Sequence, residues 1–241
     1  MKKKIEICAI VPARSGSKEI KNKNIMKFNG KPSLYYSIQV AKLSKYISKI
    51  VFSSDSKYYL DIASKYKPNV LHLRSKVNSR SMSTDRDFLL EIYQYLKKNF
   101  NYTPEVFALL RANNPTKSLK DVNNAIKIFL KNYKKFSSLR SVSLMNETSY
   151  KTFYIKKNML YSVMTNKSKI DSFNEPKEKF SNTFAGNGCI DLIKTKNLEE
   201  KILYGDRCYS FIPDHPCVDI DYKDDITFAN YVLKNFSYYV K

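Results

Sequence analysis

The chain has 241 residues, with 43 Lys and Arg against 22 Asp and Glu for a formal net charge of +21, and 43% of its residues are hydrophobic. That apolar share supports a full core and excludes general disorder, and no uninterrupted apolar stretch is long enough to span a bilayer. The lysines are scattered from Lys2 to Lys241, so the charge reads as a whole-chain bias that helps collect anions; neither nucleic acid nor a membrane is expected as a partner.

Ile7, Ala9, Ile10 and Val11 read as a buried parallel strand. Pro12 cannot continue the ladder, so the chain leaves the sheet at its carboxyl end, where open α/β sheets place their ligands. Ser15, Gly16 and Ser17 let backbone amides approach an anion, and Arg14 and Lys18 supply a fork and a point charge for phosphate oxygens. The loop has neither G-x-x-x-x-G-K-[ST] nor G-x-G-x-x-G, so P-loop and dinucleotide-binding readings lose their usual support. Apolar spacing then predicts a helix over 33–43, a strand over 47–52 ending at Ser53-Ser54-Asp55, and a helix over 57–66. A turn at Pro68-Asn69 leads to a short strand over 70–73. The helix over 87–100 is expected to face the core with Leu90, Ile92, Tyr93 and Leu96. A strand over 106–110 stops at Asn113-Asn114-Pro115, Asp121 is the expected N-cap of a helix to about residue 133, and a strand follows over 139–144. Alternation of this kind predicts an α/β, Rossmann-like, mostly parallel sheet flanked by helices.

From 150 to 184 the pattern changes to aromatic and polar residues, among them Phe153, Tyr154, Leu160 and Tyr161. This stretch reads as β-hairpins, a small dimerisation excursion inserted into one domain spanning 1–241, and a homodimer is expected. Strands over 187–193 and 209–212 and a helix over 225–235 complete the chain. Asp219 and Asp221 alternate with Val218 and Ile220, so a strand here would place both carboxylates on one face. Such a pair suits a hard cation, magnesium first, or forms a solvated strand face. His72 and His215 have the surroundings of structural residues and offer no obvious base. Cys8, Cys189, Cys208 and Cys217 lack C-x-x-C spacing and read as reduced structural residues of a cytoplasmic protein; no signal-peptide core follows Met1.

Several blocks match one family in order: Pro12-Ala13-Arg14-Ser15-Gly16-Ser17-Lys18 with Lys23-Asn24, then Ser53-Ser54-Asp55, Leu73-Arg74, Asn187-Gly188 and Val218-Asp219-Ile220-Asp221. In these the chain resembles the acylneuraminate cytidylyltransferases, also called CMP-sialic acid synthetases. The resemblance implies a nucleotide-diphospho-sugar transferase-like fold, a dimer with an exchanged hairpin, and Mg2+-dependent transfer of CMP from CTP to a sugar acid, in the service of surface glycan synthesis. It assigns Ala13, Arg14, Ser15, Gly16, Ser17, Lys23 and Asn24 to CTP, with Arg74 and Thr84 closing on the nucleotide. Within this set Arg14, Lys23, Asp219 and Asp221 are expected to be catalytic, the two aspartates binding magnesium or orienting the sugar.

Departures gather on the acceptor side. The family's Leu-Gln-Pro-Thr-Ser-Pro is Leu110-Arg111-Ala112-Asn113-Asn114-Pro115 here, Ala185 stands where Arg is usual, and Glu19 replaces a common Gly. Arg111 is the expected partner of the acceptor carboxylate, with Asn113 and Asn187 completing the sugar side. A nonulosonic acid is the first expectation for the acceptor. A synthetase resembling that for CMP-3-deoxy-manno-octulosonate, and a non-catalytic basic nucleic-acid-binding protein, are the alternatives.

Overall fold

The computed structural model describes residues 5–17, 19–80, 82–165, 170–237 and 239. Lys18, expected to contribute a charge to the phosphate loop, lies outside the described residues. The chain divides into two compact units, one of residues 1–141 with 187–241 and one of residues 142–186.

The first unit is organised by β1 (Ile7–Pro12), whose residues Ile7 to Val11 are fully buried. Such a run of apolar side chains suits a strand covered on both faces. Alternate residues serve opposite faces. Ile7, Ala9 and Val11 pack with α1 (Ser33–Leu43) and α4 (Leu119–Lys131) through Leu34, Ile38, Ile126 and Phe129. Cys8 and Ile10 pack instead with α3 (Asp85–Phe100) through Leu89, Ile92 and Leu96. β1 pairs in parallel with β2 (Lys49–Ser54) and β4 (Val106–Leu109), and β3 (Val70–Leu73) adds to β2 in parallel. With β5 (Ser138–Leu144), β6 (Phe184–Lys194) and β7 (Cys208–Phe211), the seven-stranded order is β7-β5-β6-β4-β1-β2-β3. β6 runs antiparallel to β4, with Asp191 opposite Leu109, so the sheet is mixed but mostly parallel. The remaining helices are α2 (Lys57–Ser64), the short α5 (Thr195–Glu199) and α6 (Lys223–Asn235).

Several boundaries differ from expectation for identifiable reasons. α3 begins at Asp85 because Thr84 and Asp87 form a capping box, and its core face is Phe88, Leu89, Ile92 and Leu96; Leu90 and Tyr93 are only partly buried. α4 is capped by Ser118, which leaves Asp121 as a buried residue of the first turn. Residues 218–221 belong to no strand. Val218 and Ile220 are nevertheless buried against Phe28, Tyr36 and Val232, so the alternation inferred for this stretch is real without a sheet ladder. All four cysteines are free, Cys8 and Cys189 buried and Cys208 exposed.

The second unit holds one hairpin among the described residues, Phe153–Lys156 against Met159–Ser162. Its two turn residues, Lys157 and Asn158, have φ of 49° and 63°, the pair of positive values that a type I′ turn requires. Tyr154 stacks on Tyr161 across the strands, while Ile155, Met159 and Leu160 stay exposed. Among the described residues no helix is long and apolar enough to cross a membrane.

Candidate active site

The loop after β1 is fastened to the end of β2. Ala13 N–H donates to Ser53 O at 2.9 Å, and Ser54 Oγ donates to Ala13 O at 2.7 Å. Ser15 donates through both its amide and its hydroxyl to Asp55, at 2.8 and 3.0 Å. That amide, expected to be open to an anion, is therefore already engaged. Around Gly16 the loop is open, since a Cβ there would meet no atom within 4 Å. Ser17 N–H turns back to Ser15 O at 3.0 Å.

Asn24 is buried in the short helical turn Lys23–Ile25, and its amide donates to Arg14 O at 2.8 Å. Its role here is to hold the loop. The Arg14 guanidinium is aimed by one bond from Nη1 to Arg80 O at 3.0 Å, which leaves its other donors available. Arg74, next after β3, lies 4.2 Å above the Phe88 ring and donates weakly to Ser53 Oγ and Ser53 O, both at 3.4 Å. Burial pulls its pKa down to about 10 despite the nearby carboxylates of Asp55, Glu91 and Asp85. Thr84 serves as the N-cap of α3, its hydroxyl exchanging hydrogen bonds with Asp87.

The second wall is the segment 218–221. Val218 N–H donates to Thr116 Oγ1 at 2.7 Å and Ile220 N–H to Asn113 O at 2.9 Å, while the amides of Asp221 and Tyr222 converge on Asp225 Oδ2 at 2.8 and 2.6 Å. Burial of Val218 and Ile220 turns Asp219 and Asp221 the other way. Lys23 Nζ lies 2.5 Å from Asp221 Oδ1, so two residues almost two hundred positions apart meet in one ion pair. Gly188, at φ +66°, brings the backbone close to Asp219: a Cβ there would stand 2.7 Å from Oδ2. No side chain larger than glycine fits without displacing that carboxylate. Asp219 Oδ1 is buried and has no hydrogen-bond partner among the described residues. Burial, and then the charge of Asp221, push its pKa up against the opposing pull of Lys117, Arg111 and Lys23.

A buried oxygen without a partner is costly unless something binds it. Asp219, with the Lys23-paired carboxylate of Asp221 beside it, suits a hard divalent cation that completes its shell with water and phosphate oxygens. Among the described residues no three His, Cys, Asp or Glu side chains form a closed metal cluster, so a cation here would draw further ligands from substrate or water.

On the acceptor side the expected residues are held by one another. Arg111 Nη2 lies 2.5 Å from Asp85 Oδ2 and 3.5 Å from Asp191 Oδ2, so the cation expected to pair the acceptor carboxylate already holds two carboxylates of the chain. Burial would lower its pKa, but the hydrogen bond and charge of Asp85, with Asp191, outweigh that and raise it. Asn113 is fastened to Ile220, and Asn114 Nδ2 donates to Asn187 O at 3.1 Å. Asn187 Oδ1 accepts from Cys189 N–H at 3.1 Å. Lys117, fully buried, donates to Arg111 O, Asn114 O and Ser37 Oγ at 2.7, 2.8 and 3.2 Å. Lys117, Asp85, Asp191 and Glu91 carry no sequence signal; Asp55 stood inside a matched block but without a role.

A cation-bearing loop at the carboxyl end of a central parallel strand, with Lys23 meeting Asp221 beside the buried Asp219, suits a nucleotidyltransferase of the α/β class. The model of the cytidylyltransferase family matches residues 8–185, and the chain belongs to that family. It is 26% identical over 227 residues to a pseudaminic acid cytidylyltransferase of Campylobacter jejuni, covering 93% of this chain and 95% of the relative. Over 87 residues, 36% of this chain, it is 47% identical to a Helicobacter pylori protein named pseudaminic acid cytidylyltransferase and UDP-2,4-diacetamido-2,4,6-trideoxy-beta-L-altropyranose hydrolase; the match spans only 16% of that protein's length. The fold is shared with a CMP:2-keto-3-deoxy-manno-octonic acid synthetase solved with CTP, at a TM-score of 0.66 and 11% identity over 95% of this chain and 98% of the other.

Proposed function

We propose that this chain transfers CMP from CTP to a sugar acid of the nonulosonic type and releases pyrophosphate. The observation that carries the reading is the unpartnered, buried oxygen of Asp219 beside the Lys23–Asp221 ion pair, at the mouth of a loop that aims Arg14. In this reading the acceptor hydroxyl oxygen bonds to the α-phosphorus, the bond from that phosphorus to the bridging oxygen breaks, and the hydroxyl proton passes to water. Arg14, Arg74 and Lys23 hold the triphosphate and meet the charge that spreads over its oxygens. Asp219 and Asp221 hold Mg2+, which when bound neutralises phosphate charge and orients the reacting groups. The exposed Ile155, Met159 and Leu160 of the hairpin support a homodimer in which a second copy covers them. We place the reaction in the cytoplasm, where CTP is made, on the route to a surface glycan.

Pyrophosphate release with Mg2+, across four ribonucleoside triphosphates and a panel of 2-keto-3-deoxy sugar acids, tests this. Release with CTP and one nonulosonic acid, lost in Asp219→Ala, is expected. Release with 3-deoxy-manno-octulosonate alone moves the chain to that acceptor, and absence of nucleotide binding ends the enzyme reading.

A further inference from the structure

Glu91 lies on α3 and was itself assigned to neither CTP nor acceptor, yet its carboxylate gathers the chain that follows β3. Oε1 accepts from Ser75 N–H at 2.7 Å, Oε2 accepts from Ser75 Oγ at 2.6 Å, and Oε2 also accepts from Asn78 Nδ2. His72 Nε2 stands 3.5 Å from Oε1, and His72 Nδ1 is 3.0 Å from the same Ser53 Oγ that accepts from Arg74 Nε. Inside the loop, Ser79 Oγ donates to Ser75 O at 2.7 Å and Asn78 N–H to Ser75 Oγ at 3.3 Å. The far end of this segment is Arg80, whose carbonyl receives the Arg14 guanidinium. Two chains of contact thus start at one carboxylate. One runs through His72 and Ser53 to Arg74, the other through Ser75 and Asn78 and then along the backbone to Arg80, which holds Arg14.

We propose that Glu91 is a positioning residue for nucleotide binding: by fixing the segment from Ser75 to Arg80 it sets where Arg14 and Arg74 present their guanidinium groups. The proposal rests on the reading of this site as a CTP site. An acceptor-only anchor is required at this position, since Ser75 offers an amide and a hydroxyl side by side and Asn78 a further N–H. A carboxylate satisfies all three, whereas a carboxamide loses one acceptor and turns a donor toward them. The substitution leaves both guanidinium charges present and changes only where they point, so the loss of aim weakens binding of the triphosphate in ground state and transition state alike.

The test is made on the full chain with Glu91→Gln and Glu91→Asp, by calorimetric binding of CTP with Mg2+, by steady-state kinetics and by thermal melting. For Glu91→Gln the dissociation constant and KM for CTP are expected to rise about tenfold, with kcat within about twofold and KM for the sugar acid unchanged. Glu91→Asp, which keeps two acceptor oxygens, is expected to recover part of the loss. In an Arg14→Ala background Glu91→Gln is expected to cost less than it does alone, because one of the two groups it aims is gone and only the branch to Arg74 remains. Unchanged CTP affinity in Glu91→Gln overturns the proposal while leaving the CTP reading intact. So does a fall in melting temperature with kcat, both KM values and the Arg14→Ala double variant all changing additively, which is the signature of a structural residue. A wild-type protein that binds no CTP overturns the CTP reading and this proposal together.

Discussion

The nucleotide side and the acceptor side of this site are built from similar residue types and held in opposite ways. On the nucleotide side, among the described residues, the Arg14 guanidinium makes one bond, that of Arg74 makes two of 3.4 Å, and Asp219 has a buried oxygen with no partner, although Lys23 and Asp221 are paired. On the acceptor side Arg111 is closed by Asp85 and Asp191, Lys117 uses its ammonium on two carbonyls and a hydroxyl, and the asparagines fasten backbone. Buried polar groups in proteins are normally satisfied, so the side left unsatisfied is the one prepared for a ligand, and the satisfied side is its scaffold. An acceptor that reaches Arg111 must therefore compete with the carboxylates that already hold it.

The largest effect expected from this contrast is at Asp219. Asp219→Asn keeps the shape but removes the charge, and turnover is expected to fall by about a hundredfold or more, since charge stabilisation of this kind carries much of such a reaction. The same variant is expected to melt about 2–4 °C higher in the absence of Mg2+, because a carboxylate held close to Asp221 with a buried free oxygen is a burden on the fold. Lower activity together with lower melting temperature would mean that Asp219 is scaffold after all.

Lys117 is the reverse case, a charge whose removal is expected to damage the fold first. Lys117→Met strips two carbonyls of their donor, and a loss of about 2–3 kcal/mol in urea unfolding is expected. A loss under about half a kcal/mol would show that the loop 111–114 holds itself. Asp85→Asn is expected to act more gently. It leaves Arg111 with only Asp191, at 3.5 Å, and so offers a freer cation to an anionic acceptor. KM for the sugar acid is expected to fall about threefold while KM for CTP stays within twofold, as steady-state kinetics would show. A rise in KM for the acceptor would place the Asp85–Arg111 pair itself in the acceptor's binding surface.

The layout of β1, the helix after it and the two aspartates was legible in the sequence because each depends on local pattern. Apolar runs mark buried strands, and Val218 and Ile220 turn their neighbours outward whether or not a strand forms there. Lys23 and Asp221 were each named, but their meeting was not readable, since nothing in a one-dimensional pattern measures a distance across the fold. Thr84 shows a different failure. A Thr followed three residues on by an acid is a capping signal, and that local chemistry explains the residue without any ligand. The pairing of Arg111 was not legible because its partner Asp85 lies on another element. A single cation reads as free until the residue opposite it is known. Lys117 was invisible for the same reason, since a lysine in a basic chain is by default a surface lysine.

The smallest effect separates the two sides by acid. Around Glu91, burial would raise the carboxyl pKa, but the hydrogen bonds from Ser75 and Asn78 and the facing His72 outweigh it and lower the value below its ordinary 4.5. The neighbouring groups are His72, whose pKa burial lowers, and the Arg74 guanidinium. A carboxyl whose folded pKa lies below its unfolded one contributes stability that is fully present above the unfolded value. Below it the unfolded chain takes up the proton first, and the contribution shrinks until the pH has passed the folded value as well. The difference in unfolding free energy between wild type and Glu91→Gln is therefore expected to be flat from pH 7 to about 5 and to narrow from there downward, by less than about 1 kcal/mol. Urea unfolding at half-unit steps of pH measures it. A difference that widens on acidification would reverse the sign of the shift and mean that Glu91 is held by its surroundings as an acid, not as the acceptor on which the loop is hung.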